Sequence, residues 1–252
     1  MRIITFISCL FFLCACSPDK EQTLNIATAA NVQFAMKDLC KEFTKSTNIK
    51  CNIITGSSGK LTTQIIEGAP YHIFLSANLK YPNKIYKAGI STDKPEVYAH
   101  GKLVVWSMKN EGTLPINLSY LDSEEIKHIA IANPKIAPYG QAALEALKFN
   151  KLYPSVKPKL VFGESISQVN QFIYSQTAEI GFTSLSVVLS PTMRNKGTWM
   201  EVDKNSYSRI EQGVIILKST EEKEKDSEKF YKFLFSETAQ KILIEHGYNR
   251  PR

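Results

Sequence analysis

The chain has 252 residues, 43% hydrophobic and 22% charged, enough for one large or two small domains with cores of their own. Its formal charge of +7 is carried by interleaved lysines and glutamates. There is no block of five or six like charges and no Lys/Arg stripe threaded by aromatics, which argues against nucleic acid as a partner and leaves solubility and a mild pull on anions as the role of the excess.

The opening MRIITFISCLFFLCACSPDK places Arg2 before an apolar run that is too short for a membrane span of ~20 residues and is predicted to be an export leader. Leu13-Cys14-Ala15-Cys16 resembles the lipobox of bacterial lipoproteins, which implies cleavage after residue 15, lipid on Cys16 and a polar tether over residues 16–22. The leader contains Arg2 and no acid, so its loss changes +7 to +6 and leaves about 236 residues. Two cysteines then persist in the folded part, Cys40 and Cys51. In a compartment that permits disulfides they fit a bond and two buried thiols equally well.

From Thr23 onward a short β-rich apolar run, a turn of small residues and an amphipathic helix recur, the pattern of an α/β protein. Strands are predicted at 24–30, 49–54 and 73–76, with helices at 32–46, 61–67 and 78–88. The first helix carries an apolar stripe of Val32, Phe34, Ala35, Met36, Leu39, Cys40 and Phe43, and the other two are stopped by Gly68 and Gly89. Residues 97–107 read as one long strand that leaves the first sheet for a second. There, strands at 129–132, 159–162 and 180–183 alternate with helices at 141–150 and 167–175. A β run at 213–218 returns the chain, and helices within 225–246 pack back on the first unit; the charge-rich STEEKEKDSEK reads as a solvated helix start. The predicted organisation is therefore lobe 1 at 23–104 and 214–252, lobe 2 at 105–213, a cleft between them, and a hinge near Val104 and Val214.

Four strand-to-helix junctions, within 25–31, 52–58, 129–139 and 159–166, carry the chemistry. A helix start leaves up to four N–H donors unpaired and bears partial positive charge, so several starts converging at the carboxyl ends of strands make a pocket for a small anion. TAAN offers Asn31 as a cap beside the small Ala29 and Ala30; TGSSGK offers the Ser57 and Ser58 hydroxyls; NPKIAPYGQA presents Tyr139; GESIS presents Ser165 and Ile166. TGSSGK is not a nucleotide P-loop, because Ile54 stands where that motif needs glycine and Leu61 where it needs Ser or Thr. Lys60 is the cation that stands out beside the junction donors, and Glu164 is the one acid inside a junction. The four histidines, His72, His100, His128 and His246, fall in no hydrolase signature, no GxSxG or HExxH is present, and no cysteine pair has metal-ligand spacing. An enzyme, a resident metal and a cofactor are not expected.

ATAANVQFAM, SSGKLTTQIIEGAP, IFLSAN, IANPKIAPYGQAALEAL, GESISQVNQFI, EIGFTSLSVVLSP and IEQGVIILK together resemble, in order and spacing, the molybdate-binding solute receptors of bacterial ABC importers. The resemblance covers nearly the whole chain after the leader. It implies the two-lobed periplasmic-binding-protein type II fold, a central sheet flanked by helices in each lobe and a ligand cleft between them. It further implies an extracytoplasmic receptor that passes molybdate or tungstate to a membrane permease; with the lipobox this receptor is expected to be membrane-anchored in the periplasm, and a monomer because both lobes must be presented to the permease. Carried onto this sequence, its oxyanion contacts fall on Asn31, Ser58, Tyr139 and the backbone of Ile166, with Ala30 as an additional backbone donor. Some relatives have Ser in place of Asn31, Ala in place of Tyr139 and Tyr in place of Ser184, so this chain resembles the subgroup that uses Asn and Tyr. His72 stands where relatives commonly have Asp and is expected outside direct contact; near the anion it would make binding pH-sensitive. Sulfate or phosphate as the oxyanion, and a two-lobed lipoprotein with no transport role, stay open as alternatives. Phosphate, which keeps a proton at neutral pH, would need a facing carboxylate such as Glu164.

Overall fold

The computed structural model describes residues 23–109 and 117–251. The predicted leader, the tether and Cys16 lie outside the described residues.

The first sheet begins with β1 (Thr23–Ala29), α1 (Gln33–Thr47), β2 (Lys50–Gly56), α2 (Ser58–Ile66), β3 (Ile73–Ser76), α3 (Lys80–Lys87) and β4 (Glu96–Gly101). The chain then builds a second sheet from β5 (Leu103–Ser107), β6 (Ile129–Ala132), α4 (Pro138–Phe149), the short α5 (Tyr153–Val156), β7 (Leu160–Gly163), α6 (Ile166–Tyr174), β8 (Ile180–Ser184), the short α7 (Leu185–Val188) and β9 (Thr198–Glu201). It returns through β10 (Ile210–Ile216) to the first sheet and ends with α8 (Glu221–Leu234) and α9 (Glu237–Glu245). The strand orders are β2-β1-β3-β10-β4 and β7-β6-β8-β5-β9. In each sheet three parallel strands are followed by one antiparallel strand, β10 or β5, and an edge strand, β4 or β9, paired antiparallel to it. The central parallel strands β3, β6 and β8 are buried at every residue, as expected where helices cover both faces of a parallel sheet.

Helix boundaries follow from local chemistry. The buried stripe Ala35, Met36, Leu39, Cys40 and Phe43 seats α1, and Asn48 ends it in the left-handed region at φ 60°. Thr220 accepts the Lys223 N–H to start α8, whose first turn holds Glu221, Glu222 and Glu224 against the positive end of its dipole. The returning helices add Phe230, Leu234, Ala239 and Leu243 to the core beneath α1. A separate cluster containing Leu61, Phe74 and Ile85 lies under α2 and α3. The second core takes in Ala29, Ala30 and Ala77 from the first sheet's strand ends, so the two lobes are in contact.

The structure revises several expectations. The single strand expected at 97–107 is broken at Lys102: β4 pairs with β10, and β5 with β8 and β9. Val104 lies within the second sheet opposite Thr183 and Glu201, and Val214 within the first opposite Leu75 and Glu96. The crossings therefore fall at Lys102 and between Glu201 and Ile210, not at Val104 and Val214. α2 begins at Ser58 rather than Leu61 because Ser57 Oγ accepts the Lys60 N–H at 3.4 Å. α4 begins at Pro138 rather than Gln141 because proline suits the first helical position. Cys40 and Cys51 are free thiols; a hydrogen bond with Cys51 and burial push the Cys40 thiol up, and the same contact lowers that of Cys51.

Candidate functional site

In a sheet ordered 2-1-3 the connections leave the central strand in opposite directions, opening a crevice at its carboxyl end. Both sheets have that order in their parallel part, and the two crevices face each other. One small cavity between them is lined by Ala30, Asn31, Ser58, Tyr139 and Ile166 together with Ala77. All five residues on which the resemblance placed the oxyanion contacts thus meet at one place. The cavity is small, about 10 Å³, room for a single compact group. Such a space suits one small ion and is too small for a sugar or peptide.

The first lobe supplies two walls. Beyond β1 the chain enters a single 3-10 turn, Ala30–Val32. Asn31 Nδ2 donates to Gln212 Oε1 at 2.8 Å and to Tyr248 Oη at 3.0 Å, and the Asn31 carbonyl accepts from Tyr248 Oη at 2.9 Å and Ser184 Oγ at 3.4 Å. Asn31 does not cap α1, as the sequence had suggested: Val32 occupies the cap position and Asn31 lies inside the 3-10 turn. Its side chain fixes the turn, which leaves the backbone N–H groups of the turn as the donors on this wall. At the second junction Ser58 Oγ accepts the Ala77 N–H at 3.0 Å. The hydroxyl proton therefore points away from Ala77 and is free for an oxygen in the cavity.

The second lobe supplies the other two. Gly140 lets the start of α4 sit against the end of β6: a Cβ there would collide with the Ala132 carbonyl oxygen. This contact carries the Tyr139 N–H, a first-turn donor, to the cavity. The Tyr139 ring is buried, and its hydroxyl has no hydrogen-bond partner among the described residues. That hydroxyl occupies the space a Cβ on Gly101 would need, and burial among Tyr248, Tyr207 and Tyr98 pushes its pKa up, so the proton is retained. Ile166 is the first residue of α6, and Ser165 makes no side-chain cap, so the N–H groups of that turn are left to other acceptors.

No charged side chain lines the cavity. Lys60 Nζ and Glu164 Oε1 pair across the lobes at 2.8 Å, each about half exposed. Four helical starts and a hydroxyl therefore face a void without a carboxylate, an arrangement that accommodates a fully deprotonated oxyanion and gives a protonated one no acceptor. No cluster of three His, Cys, Asp or Glu able to hold a cation occurs among the described residues. His72 is far from this chemistry. Its Nδ1 accepts the Asn25 N–H at 2.9 Å near the amino end of β1, and burial together with Lys223 lowers its pKa.

Gln212, Tyr248, Gly101 and Ala77 escaped the sequence reading. Gln212 had left a trace, a polar residue inside the apolar run IEQGVIIL. Tyr248, 217 residues from Asn31, had left none.

A model of the bacterial extracellular solute-binding protein family matches residues 24–249. The molybdate-binding protein ModA of Azotobacter vinelandii is 35% identical over 238 residues, 94% of this chain and 93% of that one. The ModA of Rhodobacter capsulatus is 34% identical over 223 residues, 88% of this chain and 86% of that one. The solved periplasmic molybdate-binding protein of A. vinelandii superposes with a TM-score of 0.82 at 32% identity, covering 91% of this chain and all of that one. The sulfate-binding protein SubI of Mycobacterium tuberculosis, at 12% identity and a TM-score of 0.75 over 91% of this chain and 87% of that one, shares the fold. With its two lobes, its cleft and this similarity along nearly the whole described chain, the protein belongs to the family of bacterial extracellular solute-binding proteins and is a relative of its molybdate-binding members.

Proposed function

We propose that the protein captures molybdate, with tungstate as an equivalent guest, and delivers it to the membrane permease of an ABC importer. The observation that carries this reading is the small cavity between the lobes in which backbone and hydroxyl donors from both converge with no charged side chain in the lining. The identity to the ModA proteins supports molybdate among the oxyanions. The lack of a carboxylate in the lining weighs against phosphate. Ala30, Asn31, Ser58, Tyr139 and Ile166 are the proposed contacts, Ala30, Asn31 and Ile166 through backbone N–H groups. No catalytic step is part of this reading. The leader at 1–15, the lipid on Cys16, the tether and the monomeric state complete it as an anchored extracytoplasmic receptor.

Isothermal titration with molybdate, tungstate, sulfate and phosphate is the direct test. One-to-one binding of molybdate and tungstate, weaker binding of sulfate and no heat from phosphate are expected. Tight binding of phosphate without molybdate overturns the reading.

Capture then requires the lobes to part and close, with the two crossings at Lys102 and between Glu201 and Ile210 as the hinge. In the closed form the Gly59 N–H donates to the Ile136 carbonyl across the cleft at 2.9 Å, and a Cβ on Gly59 would stand 2.9 Å from Ile136 Cβ. Overpacking at such a contact costs ~1–3 kcal/mol. Gly59→Val should thus raise the molybdate Kd by roughly 5- to 150-fold and abolish ligand-induced compaction in small-angle X-ray scattering. An unchanged Kd would remove the Gly59–Ile136 contact from the closure mechanism.

A further inference from the structure

The cavity holds no charge, yet its proposed guest is a dianion, so any long-range attraction must originate outside it. Next to it lies a groove of about 510 Å³ whose lining includes Lys80, Lys84, Lys87 and Lys135 and no acidic residue. The first three are spaced i, i+4 and i+7, which places them along one face of α3. Lys135 comes from the other lobe, where its carbonyl accepts the Tyr81 hydroxyl at 3.1 Å. None of the four makes an ion pair among the described residues, and Lys80 lies 5.5 Å from the Tyr81 ring centroid.

The groove and the cavity share a wall. Gly59 and Ile136 line the groove, and their chain neighbours Ser58 and Ala137 line the cavity. The partition includes the Gly59 N–H to Ile136 carbonyl bond that joins the lobes. Another cation near the cleft, Lys60, is neutralised by Glu164. The four groove lysines therefore place positive charge directly against a partition that opens when the lobes separate.

From this placement we infer that the four-lysine groove is the entrance vestibule of the receptor. It draws the oxyanion dianion from solution and directs it past Gly59 and Ile136 into the cavity, and it has no part in holding the ion once the lobes have closed. The inference rests on the oxyanion-receptor reading of the cavity. A cleft lined by one sign of charge raises the on-rate of an oppositely charged ligand by ~10- to 1,000-fold, with a steep dependence on ionic strength. The lysines should accordingly act on association and leave dissociation alone.

The test compares the full-length quadruple variant Lys80→Gln, Lys84→Gln, Lys87→Gln, Lys135→Gln with a charge-matched control, Lys37→Gln, Lys41→Gln, Lys45→Gln, Lys148→Gln, on α1 and α4. Association and dissociation of radiolabelled molybdate are followed by rapid filtration over a roughly tenfold range of ionic strength. Expected for the groove variant is an on-rate about tenfold lower at low salt, a flattened salt dependence, and an unchanged off-rate and melting temperature. The control should retain the wild-type salt dependence. Equal on-rates in the two variants, or a change confined to the off-rate, overturn the vestibule. Equilibrium titration of the wild type separates the two levels. If molybdate does not bind at all, the receptor reading falls; if it binds with a salt-independent on-rate, only the vestibule falls.

Discussion

Gly140→Ala is expected to raise the Kd for molybdate by roughly 10- to 150-fold, the equivalent of a lost hydrogen bond to a charged group, and to lower the melting temperature of the unliganded protein. Two effects of opposite sign compete. Alanine within a helix is favoured over glycine by ~0.5–1 kcal/mol, so an unobstructed substitution would stabilise α4. The added methyl would, however, collide with the Ala132 carbonyl oxygen, stand 2.6 Å from the Ala132 carbonyl carbon and 3.1 Å from the Pro134 nitrogen. Each of these is backbone, and none can rotate away. Relief requires the start of α4 to retreat from β6, and overpacking of this kind costs ~1–3 kcal/mol or more, which outweighs the helical gain. The retreat takes the Tyr139 N–H with it, and the hydroxyl loses its place beside Gly101. Calorimetric titration and thermal unfolding read the two consequences separately. A variant that melts higher than wild type and binds within threefold of it would show that α4 does not need this close approach.

Ser58→Ala should weaken binding by roughly 10- to 150-fold, the equivalent of ~1.5–3 kcal/mol for a hydrogen bond to a charged group. Binding is weakened and not lost, because the backbone N–H at residue 58 and the donors of the other three walls remain. The same substitution leaves the Ala77 N–H, now satisfied by Ser58 Oγ at 3.0 Å, without an acceptor in a buried site. A stability loss of ~1–3 kcal/mol should accompany it. The two readouts distinguish the roles of the hydroxyl. A fall in melting temperature with an unchanged Kd would reduce Ser58 to a support for β3 and remove it from the anion contacts.

The parts of the fold that were legible in the sequence are those set by local pattern. β3 and β6 were bounded to the residue because each is a short apolar run between turn residues. The helices of the junctions were foreseen in kind but placed up to three residues late, since Ser58 and Pro138 look like turn residues until the helix forms around them. β9, which alternates intermediate and exposed residues at a sheet edge, and the four-residue α5 and α7 were missed; none has enough apolar length to announce itself. The site was legible for a different reason. Each wall is a strand end followed by a helix start, and both are local features, so only their convergence had to be supplied by the topology. Partners at long range left little trace, and for that reason Asn31 was read as a cap. Its amide is engaged by Gln212 and Tyr248, 181 and 217 positions away, and no local pattern encodes that.

The segment around Tyr248 gives this arrangement a remote fastener. Asn249 bridges to His100, and Tyr248 both accepts from the Asn31 amide and donates to the Asn31 carbonyl. The first wall is thus held shut by a residue that belongs to none of the helix starts, and removing the Tyr248 hydroxyl alone would loosen the Asn31 turn while leaving all four starts in place.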